Sequence, residues 1–206
     1  MSQLALPLGW PAEEGERDLI VSAANARAVH HLERWPLWPV MTTLLTGPRK
    51  SGRSLIGRIF VARTGGRLID DAERRPEEDI FHAWNGAQAE RRPLLVIAGA
   101  PPPTWPIALP DLRSRIAASP HVALGEPDDR LAAGLIEKQL GRRGLAAGPE
   151  IAAYLLPRIE RSYVGIERIV DAIDEAAFAR RSRPTVPLAR EALRIIETGR
   201  SRSSAD

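Results

Sequence analysis

Apolar runs and charged breaks alternate along the chain, and the spacing of the apolar positions predicts two kinds of structure in succession. Residues 1–11 are apolar and punctuated by prolines, and the charged stretch 12–18, AEEGERD, sets them apart as a detached peptide. Folded structure is expected to open at DLIVSAAN, 18–25, an apolar run that passes into helical spacing up to about Leu32. WPLWP, 35–39, is a stiff connector, because each proline pushes the residue before it out of the helical region. Val40–Thr46 is β-branched and apolar and predicts a buried strand. Ser54–Arg63 places Leu55, Ile56, Ile59 and Phe60 on one side of a helix. After a Gly65-Gly66 turn, Arg67–Asp71 is a short strand ending in two carboxylates. Glu77–Arg91 is a helix with acids in its first turn, where the helix dipole favours them. Pro93–Ala98 is a continuous apolar strand, APPPTWP is an extended loop, Leu109–Ala117 makes one or two helical turns, and His121–Gly125 is a last short strand. Strands that are apolar throughout and alternate with helices predict an α/β fold with a parallel sheet covered on both faces.

From Pro127 the pattern is helical only, with helices expected near 128–141, 149–160, 163–179 and 187–197. Ile166, Ile169, Val170 and Ile173 make an apolar stripe at helical spacing. The expected organisation is a peptide at 1–11, an α/β core at 12–126, a small all-α domain at 127–198 and a polar, disordered tail at 199–206. No internal repeat is present.

Composition narrows the function classes. The 206 residues are 44% hydrophobic, enough for one full core with a small satellite domain, and no run of about twenty apolar residues offers a membrane span. MSQLALPLGW is short and lacks a positive flank, so a signal peptide is not expected. Zero cysteines exclude disulfides, thiolate zinc sites and a cysteine nucleophile, which fits a cytoplasmic protein. The net charge is +3, and Lys50 and Lys138 are the only lysines among the basic residues. Basic and acidic residues are interspersed, which reads as a solvated mixed surface with no direct sequence-specific DNA binding. His30, His31, His82 and His121 lack metal-ligand spacing, and Trp35, Trp38 and Trp105, beside prolines, read as packing.

One segment carries a chemical signature. Gly47–Ser54, GPRKSGRS, has the frame G-x-x-x-x-G-K-[ST] of a phosphate-binding loop, with Arg53 where the lysine belongs. In such a loop, backbone N–H groups cradle phosphates, the lysine reaches the outer oxygens and the hydroxyl, here Ser54, holds Mg²⁺. A strand before and a helix after mark descent from such a loop through Gly47, Gly52 and Ser54. Arg53 keeps the charge but as a larger planar fork. Asp70 and Asp71 read either as a metal site, positioning Mg²⁺ and polarising water, or as a cap or solvated turn. The strand end at Ala98, Gly99 and Ala100 offers no polar side chain toward a γ-phosphate. LRSRI, 112–116, carries Arg113 and Arg115, which read as surface arginines or as an arginine reaching a neighbouring subunit's phosphate site.

Taken in order, DLIVSAAN, LLTGPRKSGRSL, LIDDAE with EEDIFHAWN, PLLVIAGAPPPTWP, LPDLRSRI and RIERSYVGIERIVDAID resemble the DnaA family of AAA+ replication proteins, and within it the truncated Hda-type members, over residues 18–197. The resemblance implies an AAA+ P-loop core with a helical lid, an arginine finger at Arg115 acting in trans, and ADP or ATP with Mg²⁺ held through Ser54 and Asp70 where the loop is intact. QLALPL then resembles the family's peptide for the β sliding clamp, which assigns Gln3, Leu4, Leu6, Pro7 and Leu8 to clamp docking. The implied partners are the DNA-loaded clamp and DnaA, with a homodimer compatible, no membrane, and a cytoplasmic, nucleoid-associated location. Arg53, the absent polar sensor and the absence of an arginine near Val164–Gly165 of the lid depart from the pattern and argue against intrinsic ATPase activity. Only fifteen residues separate Ser54 from Asp70, so a strand and helix usual in the family are trimmed, and no helix-turn-helix domain is expected after the lid. A stand-alone P-loop ATPase and a non-catalytic clamp or DnaA adaptor are the alternatives.

Overall fold

Four parallel strands form one sheet in the order β2-β3-β1-β4, where β1 is Thr42–Thr46, β2 Arg67–Ile69, β3 Leu94–Ile97 and β4 His121–Ala123. The computed structural model describes residues 19–203. The clamp-peptide residues Gln3, Leu4, Leu6, Pro7 and Leu8 lie outside them. Consecutive residues of a strand face opposite sides, so each central strand feeds two cores. Leu44, Leu94 and Val96 pack on one face with α3 (Glu77–Glu90) and α4 (Pro110–Ala118), through Ile80, Ala87, Leu112 and Ile116. Leu45, Leu95 and Ile97 pack on the other with α1 (Ala26–Glu33) and α2 (Arg53–Thr64), through Ala28, Leu32, Ile56 and Phe60. The expected α/β core with helices on both faces is present.

Four further helices build the second domain: α5 (Asp129–Arg142), α6 (Pro149–Leu155), α7 (Tyr163–Arg180) and α8 (Val186–Ser203). Its core joins Ile136 and Leu140 of α5, Ile151 and Leu155 of α6, the stripe Ile166, Ile169, Val170 and Ile173 of α7, and Leu188 and Ala192 of α8. None of the helices among the described residues is long and apolar enough to cross a membrane.

Several boundaries differ from expectation: β1 starts at Thr42 where Val40 was expected, and β4 ends at Ala123 where Gly125 was expected. The helix expected over 149–160 stops at Leu155, because the ring of Pro157 and its missing N–H oppose continuation. The strand expected over Arg67–Asp71 stops at Ile69, and Asp71 turns left-handed at φ 52°. The segment expected as a disordered tail from Gly199 continues as helix to Ser203, since a helix nucleated by packing at Leu188–Leu193 adds one hydrogen bond per residue fixed.

The two domains meet at a short hydrogen-bonded junction. Buried Asn25 braces the entry turn by accepting from Ser22 N–H (2.9 Å) and donating to the Ile20 carbonyl (2.8 Å). Gly125 N–H donates to the Ala24 carbonyl (2.8 Å), and the Tyr163 hydroxyl donates to the Gly125 carbonyl (3.0 Å). The Asp128 carboxylate caps α5 through Leu131 N–H (2.9 Å) and accepts from Ala24 N–H (3.2 Å). Burial works against this charge, but the hydrogen bonds from Leu131, Ser22, Ala24 and Ala23 outweigh it and hold the carboxyl below its ordinary value. Burial, with Glu126 and Asp128 nearby, pushes the Tyr163 phenol up to about 12, so it stays a donor. Tyr163→Phe is expected to cost about 0.5–1.5 kcal/mol for one lost hydrogen bond, and Ile136→Ala, in the lid core, about 2–5 kcal/mol, both read by urea unfolding.

Candidate functional site

The crevice between the carboxyl ends of β1 and β3 is where an open parallel sheet places its ligands, because the crossovers from these neighbours leave in opposite directions. The Gly47–Ser54 loop fills the β1 side. Gly47 passes so close to Leu124 that a Cβ would sit 2.8 Å from the leucine's own, so only glycine fits. Ser51 N–H donates to the Pro48 carbonyl (3.2 Å), Lys50 is left-handed at φ 67°, and left-handed Gly52 is the N-cap of α2. No side chain caps α2, so the N–H groups of its first turn face the crevice as in a phosphate-binding loop. Gly47, Gly52, Arg53 and Ser54 thus lie together after β1 and at the start of α2.

The side chains do not complete a nucleotide site. The Arg53 guanidinium donates to the Ala98 carbonyl at the end of β3. The next peptide N–H, of Gly99, donates to Glu73 Oε1 at 2.9 Å. The Ala98–Gly99 peptide, where a polar sensor side chain is wanting, is therefore gripped by two of the chain's own charged residues. Asp70 and Asp71 leave β2 at the same end of the sheet, but β3 stands between β2 and β1. Asp71 N–H donates to Asp70 Oδ1 (3.0 Å), and Arg75 Nε donates to the Asp70 carbonyl (3.3 Å). Among the described residues no group of three or more His, Asp or Glu side chains is placed to hold a metal ion. The donor set fits a nucleotide with Mg²⁺ poorly.

The lid contributes a different contact. Lys50 Nζ pairs with Glu167 of α7 at 2.9 Å, joining the loop to the lid across the crevice. At Gly165, one of the two residues around which the resemblance implies an arginine, a Cβ would lie 2.5 Å from the Glu160 carbonyl oxygen, so that position has no room for a side chain. Arg161 pairs instead with Asp129 (3.1 Å), and both are exposed.

Arg115 lies on α4, half-buried against α3. Its guanidinium sits 4.6 Å from the centroid of Phe81 and 4.7 Å from that of Trp84, and it donates to Asn85 Oδ1. Phe81, Trp84 and Asn85 share one face of α3 by their spacing, a sequence signal that reading by motif passes over. Arg113 donates to the Ile107 carbonyl through Nε (3.0 Å) and Nη2 (2.6 Å). Glu73 and the Lys50–Glu167 pair were not legible either, since nothing local links residues so far apart in sequence.

Two of the scattered histidines are bonded at the rim of the sheet. His31 Nε2 lies 2.9 Å from Thr43 Oγ1, and His121 Nε2 lies 2.8 Å from Thr46 Oγ1. Burial lowers both imidazoles from the ordinary 6.5, with Arg27 and His30 adding to the shift at His31. A lowered histidine leaves the unfolded chain binding the extra proton, so stability is full above pH 6.5 and falls as pH drops toward the folded values. Melting temperatures are expected to decline below that pH in the native chain, and the decline is expected to flatten in His31→Gln, His121→Gln.

Comparison with known proteins gives this geometry its relatives. Residues 129–193 match the family described as Hda, lid domain. Domain III of the replication initiation protein DnaA from Thermotoga maritima superposes with a TM-score of 0.70 at 11% identity, covering 86% of this chain and 94% of that one. A DNA replication initiation factor superposes at 0.62 with 17% identity, over 79% of this chain and 64% of the other. The Holliday junction branch migration motor RuvB of Thermotoga maritima superposes at 0.57 with 13% identity, over 75% and 61%. An uncharacterised protein of Haemophilus influenzae is 26% identical over 117 residues, 56% of this chain, so the chain spans about half the length of that curated relative, 51%. The α/β core with its helical second domain thus shares the fold of domain III of DnaA, and the second domain over residues 129–193 matches the Hda lid domain.

Proposed function

We propose that this chain is a regulator of replication initiation that acts on a partner's nucleotide and does not turn over its own. The observation that carries the reading is the Arg53–Ala98 contact, with Glu73 on the next peptide: the residue that should meet a phosphate is spent on the protein's own backbone. The phosphate-loop fold is kept while its hydrolytic parts are absent, which suits a subunit that works through its surface. The partner is DnaA with bound ATP, and the tether is the peptide Gln3–Leu8 on the DNA-loaded β sliding clamp. The leucines would fill an apolar groove of the clamp, Gln3 would hydrogen-bond at its edge, and Pro7 lowers the entropy cost of ordering.

Arg115 is the group that meets the partner's ATP. Phe81 and Trp84 hold its guanidinium flat at the surface of α4, which limits the rotamer freedom lost on docking. A specific observation favours the second reading, a non-catalytic adaptor: Asn85 already accepts from this guanidinium, so a finger must give up that bond. One experiment separates the two. Hydrolysis of DnaA-bound ATP is measured with loaded clamp and either the native chain or Arg115→Ala. A finger of this kind is worth about 10³–10⁵ in rate, so most of the stimulation should vanish while clamp binding is kept. Undiminished stimulation removes Arg115 from the mechanism, and no stimulation by the native chain leaves the adaptor.

The site itself gives a second expectation. The native chain should show no saturable binding of ADP or ATP up to about 1 mM, where binding is worth about −4.1 kcal/mol, by equilibrium dialysis with Mg²⁺. Mg²⁺-dependent turnover of ATP by the chain alone would overturn the reading.

A further inference from the structure

A second opening lies beside the outer strand β4, apart from the crevice between β1 and β3. It is a cleft of about 560 Å³, a size at which proteins hold small molecules, and it shares no residue with the Gly47–Ser54 loop. Its ionisable lining is all basic. Arg27, His30, His31 and Arg34 come from α1 and its C-cap, and His121 comes from β4. Glu33, the one acid of α1, lines the α1–α2 side instead. Among the described residues neither Arg27 nor Arg34 has an ion pair.

The helix sets these groups in a row. Positions 27, 30, 31 and 34 share one side of a helix, and seven residues at 1.5 Å each put the two arginines about 10 Å apart along it. The imidazoles between are held in place. The His31 ring stacks on Trp38 with centroids 5.2 Å apart, and its Nε2 is engaged with Thr43, as that of His121 is with Thr46. Nδ1 of both rings has no partner among the described residues. The three imidazoles do not converge on a metal position, and two guanidinium groups repel a cation. The charge pattern calls for an anion, and the separation calls for one with two charged ends. We propose that the α1–β4 cleft binds a small organic anion carrying two phosphate groups on separate carbons, one at Arg27 and one at Arg34, with His31 and His121 between them. A guanidinium offers phosphate paired donors, and a phosphate monoester carries about −1.5 to −2 charges at pH 7. Leu37, 70% exposed, lends the cleft an apolar side for the carbon skeleton. The contiguous phosphates of ADP or ATP stand too close together to serve both arginines. The site is independent of the clamp and DnaA reading given above.

The four histidines make a direct test available. Three line the cleft, and His82 lies on α3, which covers the other face of the sheet. Fructose 1,6-bisphosphate is titrated into the full chain while the imidazole C–H resonances are followed by NMR. His30, His31 and His121 should move along one saturation curve with a Kd of about 1 mM or below, and His82 should stay fixed. The titration midpoints of His31 and His121 should rise, because a nearby anion favours the protonated ring. Arg27→Ala and Arg34→Ala, both at exposed positions, should each weaken binding about tenfold, as loss of a hydrogen bond between charged groups implies. Fructose 6-phosphate, with one phosphate, should bind about tenfold more weakly than the bisphosphate. Shifts that include His82, binding unchanged in both arginine variants, or equal binding of fructose 6-phosphate or ADP overturns the proposal, as does no movement of the cleft histidines.

Discussion

Parallel strands cannot be joined by tight turns, and each pair needs a crossover long enough to hold a helix. That constraint shapes this molecule. It covers both faces of the sheet, which is why Leu44–Leu45 and Leu94–Ile97 are buried without alternation between apolar and polar positions. It also sends the chain one way from β1 and the other way from β3, and so opens a crevice at their shared end. The Gly47–Ser54 loop, Arg53, Glu73 and the Lys50 bridge to the lid all stand around that opening. The position of that opening is a consequence of topology, whatever side chains line it.

What stands around the opening follows from the side chains available. The chain uses arginine nearly throughout, with Lys50 and Lys138 its lysines. A guanidinium is planar, long and rich in donors, and finds carbonyl oxygens where an ammonium would stay solvated. Arg53 on Ala98 and Arg113 on Ile107 both show this habit. Arg115 shows another side of it, since the same planarity lets the group lie against Phe81 and Trp84. Hydrogen bonds to a charged group are worth more than those between neutral groups, and the part-buried Arg53–Ala98 contact is of that kind.

Most of the fold was legible because period and composition are local signals. The strand at Thr42–Thr46, the helix after Gly52, the acid-led helix at Glu77 and the all-helical second domain follow from spacing alone. Helix ends were less so: Pro157 was in view, yet the run Ile151–Leu155 read as longer, and packing of α8 carried it past Gly199. The loop backbone was legible from its glycines, while the fate of its side chains was not. Whether Arg53 faces a phosphate or a carbonyl, and whether Lys50 serves the loop or Glu167, depends on partners brought near by the fold. Arg115 was correctly placed on its helix, but its aromatic bracket belongs to a different helix and needed the packing of α3 on α4 to be seen.

The short connection between Ser54 and Asp70 leaves β2 as a margin of the sheet, with one side of its backbone unpaired among the described residues. A bare margin of this kind is a template on which a second molecule can add its own strand. Here the template is three residues long, begins at Arg67, whose Nη2 lies 2.8 Å from both Glu90 carboxylate oxygens, and is cut off by the left-handed Asp71. This sheet edge is therefore not a sticky one. The margin is brief, charged and bent, which guards against fibre-like growth by strand addition.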